Sequence, residues 1–376
     1  MSLWPRTSAA VNGSPVAEPA LSNTDAMVAS PPTDGGRSGS RRPQRGPAMT
    51  DVAALAGVSH QTVSRVLNDH PNVRETTRLR VQAAMTELGY RPNRAARALV
   101  TGATQTIGVV TQATPLFGPV RLRTALELAA SDAGFDVSTV SVRSVDRESV
   151  AAAVERQLAQ RVDGIVVIVP VESAQAALDD LDASVPLVAI DGDPSRLSGL
   201  VTVDQVEGAR LATQLLLDAG HSTVWHVSGP SDWFDSAGRV QGWRTTLEAA
   251  GRDVPPVIAG DWTSVAGYRA GQMLARMPEA TAVFAANDHL ALGIMKALRD
   301  LGHEVPDRLS LVGFDDIPEA AYLTPPLTTV RPDFAEVAQR AVDAIVRWRA
   351  QGGTAPQVPA VPPTLVVRDS VGPPRR

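Results

Sequence analysis

Residues 49–99 read MTDVAALAGVSHQTVSRVLNDHPNVRETTRLRVQAAMTELGYRPNRAARAL. This stretch predicts three short helices and a small fourth, packed as one headpiece. Asp51–Ala56 is a helix of small apolar residues, ended by Gly57, which tolerates the conformation of a sharp turn. Ser59 supplies an N-cap oxygen for a second helix, His60–Asn68. On it Val63, Val66 and Leu67 fall at helical spacing and face inward, leaving His60, Gln61, Ser64 and Arg65 outward. A third helix, about Glu75–Leu88, carries Thr77, Val81, Ala84 and Leu88 on one stripe, suited to closing a small core. Helix, glycine turn and a second helix with an exposed polar N-terminal half make a helix-turn-helix, a motif whose second helix enters the major groove of DNA.

The phrase DVAALAGVSHQTVSRVLN and the following GYRPNRAARAL resemble the headpiece of the lactose-repressor (LacI/GalR) family nearly residue for residue, and the resemblance continues to Arg368. It implies roles for individual residues. His60, Gln61 and Arg65 occupy the positions that read base edges; Gln can pair bidentately with adenine, and Arg with O6 and N7 of guanine. Ser59, Thr62, Ser64 and Asn68 correspond to phosphate or mixed contacts. Arg74 departs from the pattern, because the family usually has a capping Ser there. Pro92 can open a helix, and Asn93–Leu99 is too short to be stable alone. The resemblance makes it a hinge helix, carrying Asn93 and Arg94 to the DNA and wedging Leu99 into the minor groove.

Composition agrees with a DNA-contacting front end. The chain has a net charge of −5, but residues 1–100 hold 12 Arg against 7 acidic residues, while the remainder holds 23 basic and 33 acidic residues. A basic front on an acidic body separates a phosphate-contacting module from one that does not touch DNA. Lys296 is the only lysine, so phosphate contacts fall to arginine, polar side chains and backbone amides. The absence of cysteine excludes disulfides and thiolate metal sites. No apolar run spans a membrane and the first 30 residues lack a secretory core, so a cytoplasmic, nucleoid-associated protein is expected. Residues 1–48, rich in Ser, Pro, Gly and Ala, read as a disordered basic extension. Its Arg37, Arg41, Arg42 and Arg45 read equally as a DNA-binding arm or as a translated leader.

From Gln105 the pattern changes to short apolar strands alternating with helices. Strands are expected at Thr106–Val110, Asp136–Val140, Gly164–Val169 and Leu187–Ile190, then at Val224–Val227, Pro256–Ala259, Ala282–Ala285 and Leu309–Val312. Such runs imply parallel sheets buried on both faces. Helices between them are expected near 122–131, 147–160, 174–181, 205–217, 237–250, 265–276 and 290–301. Two sets imply two doubly wound subdomains, and ligands in such sheets bind beyond the carboxyl ends of the strands. The fold expected is therefore an N-terminal all-α helix-turn-helix headpiece plus an α/β core of two doubly wound parallel-sheet subdomains. The resemblance makes that core periplasmic-binding-protein-like, with three lobe crossings, near Val203–Asp204, Arg331–Pro332 and Pro362. The expected boundaries are 1–48 extension, 49–90 headpiece, 91–104 hinge helix and linker, 105–203 with 333–361, and 204–332 with 362–370.

Polar residues stand where the strands end: Asp191, the pair Asn287-Asp288, and the pair Asp315-Asp316. Carboxylates, an amide and a guanidinium (Arg239) converging on a cleft suit polyols, since each takes adjacent hydroxyls. Trp262 is the candidate ring to cover a pyranose face. Each residue also has a plain alternative, such as Asn287 capping the helix that follows. The resemblance implies effector binding by Asp191, Arg239, Asn287 and Asp315. With Trp262, the run Leu116-Phe117-Gly118-Pro119 is similar to the family's galactoside pocket, and Phe334 is retained; Leu116, Gly118 and Pro119 line the substituent side. Departures occur at Asp235, where that pocket has a serine, at Pro332 in place of a glutamine, and at Val203 in place of an aromatic residue.

Paired carboxylates also invite a glycosidase reading, but no Gly-rich phosphate loop with Lys, HExxH or G-x-S-x-G accompanies them. No catalysis, cofactor or metal is expected. His221 reads as a residue just past a helix end. Phe334–Arg349 reads as an amphipathic helix, followed by a strand at Thr364–Val367. No leucine-heptad tail follows, so a homodimer over a palindromic operator is expected rather than a tetramer. The reading is a repressor released from double-stranded operator DNA by a sugar, a galactoside or related β-glycoside. The alternatives are a co-repressor-dependent regulator of the same fold with a purine-type ligand, and a solute-binding protein.

Overall fold

A computed structural model of the chain describes residues 47–67, 70–91, 102–168, 171, 178, 184–192, 199–352 and 358–375. The expected DNA contacts Asn68, Asn93, Arg94 and Leu99, with the hinge helix, lie outside the described residues, as does all of the expected helix 174–181 except Leu178. The chain forms two compact units, residues 1–91 and 92–376.

In the first unit, α1 (Met49–Ala56), α2 (His60–Leu67) and α3 (Glu75–Leu88) enclose Val52, Ala53, Ala56, Val63, Val66, Val81 and Ala84. Gly57 turns the chain out of α1 with φ 61°, a left-handed conformation that costs a residue with a Cβ. Ser59 Oγ then accepts the Thr62 N–H at 3.1 Å and caps α2. Arg74 sits at the N-cap of α3 and makes no side-chain cap hydrogen bond, as its departure from a capping Ser implies.

The second unit holds two sheets. The first has the order β2-β1-β3-β4-β5, from β1 (Thr106–Gln112), β2 (Asp136–Val142), β3 (Gly164–Ile168), β4 (Leu187–Ile190) and β5 (Leu200–Val201), all parallel. Alternation along these strands splits their side chains between two cores. Ile107, Val109, Val166, Ile168, Val188 and Ile190 pack on α4 (Phe117–Asp132) and α10 (Phe334–Gln351). Val110, Ile165, Val167 and Ala189 pack on α5 (Arg147–Ala159). β3, buried at every position, reads as a continuous apolar run, whereas β2 at the edge keeps exposed polar residues.

The second sheet has the order β10-β9-β8-β7-β6, from β6 (Trp225–Val227), β7 (Ala282–Ala285), β8 (Ser310–Phe314), β9 (Thr328–Arg331) and β10 (Thr364–Val366). Helices α6 (Gln205–Asp218) and α7 (Phe234–Ala249) cover one face, and α8 (Ser264–Leu274) and α9 (Asp288–Asp300) the other. Two sequence expectations are corrected here, and two strands are added. The sheet is mixed, since β10 runs antiparallel to β9 as the chain returns from the first lobe. Pro256–Ala259 is not a strand; only Ile258 bridges, to Val227, because two prolines limit the hydrogen bonds that segment can donate. The short strands β5 and β9 were not anticipated. Thr328 and Thr329 are fully buried, so their polarity hid β9 from an apolar-run reading.

The chain passes between the sheets after β5, after β9 and before β10, and the first and third passages pair through Val203 and Val361. Helices α8 and α9 approach closely enough to require glycine: a Cβ on Gly293 would lie 2.1 Å from the Ser264 carbonyl oxygen. Gly293→Ala is therefore expected to destabilise the core by about 1–3 kcal/mol through overpacking. Urea unfolding checks this, and an unchanged midpoint would show that the helices can separate freely.

Candidate functional site

Each parallel strand aims its carboxyl end at the cleft between the sheets, so the residue that follows each strand is delivered there. Asp191 follows β4, Asn287 follows β7 by one residue, and Asp315 follows β8. Two adjoining recesses open at this point. The larger, of about 480 Å³, is lined by Gly118, Pro119, Asp191, Arg239, Asp315 and Phe334 among others. The second is lined by Leu116, Gly118, Pro119, Arg239, Trp262, Asn287 and Asp315, with Trp233 and Asp235. The nine residues singled out from the sequence thus meet in one cleft. Leu116, Gly118, Pro119, Asp191 and Phe334 come from the first lobe, and the other four from the second.

Arg239 organises the site. It lies on the buried stripe of α7 with Ser236, Gly242 and Trp243, and is 4% exposed. Its Nε donates to Gln205 Oε1 at 2.9 Å and another guanidinium nitrogen donates to the Ala286 carbonyl. Its remaining terminal nitrogen lies 3.8 Å from carboxylate oxygens of both Asp235 and Asp315. The guanidinium carbon stands 3.7 Å from the Phe314 ring centroid and 5.3 Å from that of Trp262, a cation–π arrangement.

Three carboxylates share that single cation. Burial holds Asp191 well above the usual carboxylate range, with the charge of Asp235 adding to the rise and the Thr202 hydroxyl, 3.1 Å away, opposing it. Burial likewise raises Asp235, against the pull of Arg239. Asp315 is pushed up to about 7 by burial, Arg239 opposing and Asp235 reinforcing. The backbone is strained at the same places: Asp191, Trp262 and Asp315 have φ of 64°, 68° and 102°. Non-glycine residues in this region cost about 1–3 kcal/mol each and concentrate at functional sites.

The structure separates the paired polar residues. Asn287 lines the cleft and also caps α9, accepting the Leu290 N–H at 2.8 Å, so the capping alternative holds alongside the lining position. Asp288 turns inward to accept from Thr329 Oγ1 at 2.6 Å and the Ile317 N–H at 2.9 Å. Asp316 pairs with Arg331 and Arg368, each at 2.6 Å. Asp288 and Asp316 are structural. Sequence reasoning missed Trp233, which lines both recesses and meets Trp262 edge-on at 5.7 Å, and Gln205, which holds Arg239. Trp233 falls six residues after β6 in GPSDWF, and a strand-end search extended by that distance finds it. Gln205 opens a helix and gave no signal.

On the headpiece, Ser59, His60, Gln61 and Arg65 are exposed around the start of α2, while Thr62 and Ser64 are half-buried. Thr62 Oγ1 lies 2.9 Å from Ser59 Oγ, within the cap. Among the described residues, no group of three or more His, Cys, Asp or Glu side chains is arranged to hold a metal ion, and no helix is long and apolar enough to cross a membrane.

A carboxyl group with its folded pKa raised above its unfolded value binds more protons when folded. Its contribution to stability is full below the unfolded value and is lost as pH rises through the folded one. For Asp315 that window runs from about 4 to about 7. His226, buried between Trp243 and Phe284 and lowered to about 4 by that burial, acts oppositely and loses stability as pH falls below about 6.5. Asp315→Asn is therefore expected to flatten the fall in melting temperature between pH 5 and 8 on this account, with the acid limb unchanged. A variant with the parent's slope across that range would show that Asp315 is ionised throughout.

Two family models match the chain: bacterial regulatory proteins of the lacI family over residues 48–93, and the periplasmic binding protein-like domain over residues 213–371. The lactose operon repressor of Escherichia coli K12 is 34% identical over 324 residues, covering 85% of this chain and 89% of that protein. A crystal structure of the lac repressor dimer bound to operator and the anti-inducer ONPF superposes with TM-score 0.78 at 31% identity, covering 87% of this chain and all of that one. A complex of the transcriptional regulator CelR with cellobiose aligns with TM-score 0.63 at 31% identity, covering 86% of this chain and 99% of that one. The helix-turn-helix headpiece, the two-sheet core and the matched length agree: the chain belongs to the lacI family of bacterial regulatory proteins and is a LacI-family transcriptional repressor.

Proposed function

We propose that this repressor is released from a palindromic operator by a sugar, a galactoside or related β-glycoside, bound in the cleft around Arg239. The observation that carries the reading is the convergence of Asp191, Arg239, Asn287 and Asp315 at the strand ends, beside the rings of Trp233, Trp262 and Phe334. Carboxylates, an amide and a guanidinium accept and donate to neighbouring hydroxyls, and aromatic rings cover the apolar face of a pyranose. The complex of the relative CelR with cellobiose supports a sugar ligand.

In this reading two chains pair as a homodimer and present two headpieces. Ser59, His60, Gln61, Thr62, Ser64 and Arg65 contact DNA, with Asn68, Asn93, Arg94 and Leu99 completing the set. The sugar bridges residues from both lobes, and release follows if it binds the DNA-free arrangement better than the DNA-bound one. A ligand with equal affinity for both would change nothing.

A thermal-shift scan against galactosides, other β-glycosides, free sugars and purines tests the ligand class. A sugar at about a hundred times its dissociation constant adds roughly 2.7 kcal/mol to the folded state. A shift confined to purines contradicts the inducer reading and favours a co-repressor. The two modules are expected to separate by mutation. Arg65→Ala loses about 1–3 kcal/mol of operator discrimination, and its sugar-induced shift is retained. Arg239→Ala abolishes the shift. Loss of both activities in Arg65→Ala would contradict the division of labour.

A further inference from the structure

We infer that Asp163 is a positioning residue that, with Arg349, latches the linker from the headpiece onto the far end of α10, the helix whose near end lines the cleft. That the signal entering this helix is a sugar rests on the proposed sugar site. Asp163 immediately precedes β3, at the amino edge of the first sheet, whereas the cleft lies beyond the carboxyl edge, where Ile168 of the same strand lines it. Its buried side chain meets the chain just before β1, where the linker enters the core. The carboxylate accepts the Thr104 N–H at 3.2 Å and the Gln105 N–H at 2.6 Å. The Asp163 N–H donates to the Thr106 carbonyl at 2.8 Å, and Thr104 Oγ1 donates to the Arg161 carbonyl at 2.9 Å. Gln105 and Arg161 both adopt left-handed backbone, with φ of 52° and 56°. Residues with a Cβ persist in that conformation only where their surroundings over-determine it, so the linker is held here against its local preference.

Arg349 distinguishes this arrangement from an aspartate that merely ties off a loop. Its Nη1 donates to Asp163 Oδ2 at 3.0 Å, a charge-assisted bond from the last turn of α10. One carboxylate oxygen thus joins α10 to the Gln105 amide. α10 begins at Phe334, which lines the larger recess. At 1.5 Å per residue, Arg349 lies about 22 Å further along the helix. Between these ends Val337, Ala341, Val342 and Ile345 are buried against the first sheet. The seating is tight beside the latch: a Cβ on Gly164, next to Asp163, would stand 2.5 Å from Ile345 Cγ2. A helix packed in this way moves as a unit. A shift at Phe334 therefore reaches Arg349 and, through Asp163, the amides of Thr104 and Gln105.

The test uses the full-length dimer, a duplex selected by the wild type from random sequence, and two probes, methyl β-D-galactoside and cellobiose. Operator affinity is measured without probe and with saturating probe. The wild type is expected to lose affinity by about 5- to 150-fold, the usual range of coupling between linked sites. In Asp163→Asn and Arg349→Gln that factor should fall below about twofold. Probe affinity for the DNA-free variants should stay close to the parent's, and Arg349→Lys should keep the parent's factor. A variant pair that melts lower yet keeps the parent's factor overturns the inference, since a purely structural Asp163 gives that result. A second arm needs no sugar. Duplex binding is expected to alter amide exchange over residues 334–340 in the wild type and to leave it unaltered in Asp163→Asn and Arg349→Gln. No alteration in the wild type, or an equal one in both variants, overturns the latch. If neither probe weakens operator binding by the wild type, the fault lies in the sugar reading and the exchange arm decides the latch. Should Asp163→Asn fail to fold, Arg349→Gln, changed at a partly exposed position, carries both arms.

Discussion

A guanidinium in the interior is tolerable only when its hydrogen bonds and its charge are both answered, and Arg239 imposes that requirement on four separate parts of the second lobe. Its partners are the first residue of α6, the carbonyl just past β7, the carboxyl just past β8, and Asp235 one turn earlier on its own helix. Removing such charges from water costs several kcal/mol per ion after relaxation, so an incompletely answered Arg239 would be a large penalty. The arrangement fixes the mutual positions of these elements more stringently than apolar packing does. Burial drives Asp191, Asp235 and Asp315 upward together, and Arg239 pulls against the rise in each.

Backbone geometry supports the same centre. Asp191, Trp262 and Asp315 adopt left-handed conformations that side chains disfavour, and each is held by a bond from a neighbouring segment. The Asp191 N–H donates to the Val201 carbonyl, the Asp315 N–H to the Val330 carbonyl, and Asn287 Nδ2 to the Trp262 carbonyl. The sheets over-determine these turns, so the strain is stored where polar side chains leave the strand ends. The two lobes also meet at the cleft: Leu116 and Phe117 of the first lobe pack against the core of the second, and Val171 bridges to Trp233. A ligand touching Asp191 on one side and Arg239 on the other makes different contacts whenever the lobes shift, which is the condition for coupling ligand to function.

Much of this was legible in the sequence, for identifiable reasons. The span of α3 matched residue for residue and β1–β4 began at their expected residues, because helical stripes, the buried runs of β1, β3 and β4, and the alternation of the edge strand β2 leave readable periods. Asp191, Asn287 and Asp315 were found because parallel strands deliver whatever follows them to one edge. Three features stayed hidden. The buried threonines of β9 look like a loop until their hydrogen bonds to Asp288 and Ser370 are seen. The direction of β10 depends on a return from the other lobe, which local sequence does not encode. The physical reason that Asp315 and Asn287, chosen only through the resemblance, line the cleft while Asp316 and Asp288 do not lies in which side Arg331, Arg368 and Thr329 approach from. That is tertiary information.

The central claim is that occupation of the cleft and occupation of the operator oppose each other. Trp233 and Trp262 line the cleft and report on its contents, so the sugar that stabilises the protein can be titrated by their fluorescence. The decisive titration is performed on the free protein and again on the protein saturated with its selected duplex. The account predicts an affinity weaker on DNA by about 5- to 150-fold, the usual range of coupling between linked sites. Equal affinities would show that the cleft is uncoupled from the headpiece, and tighter binding on DNA would make the ligand a co-repressor.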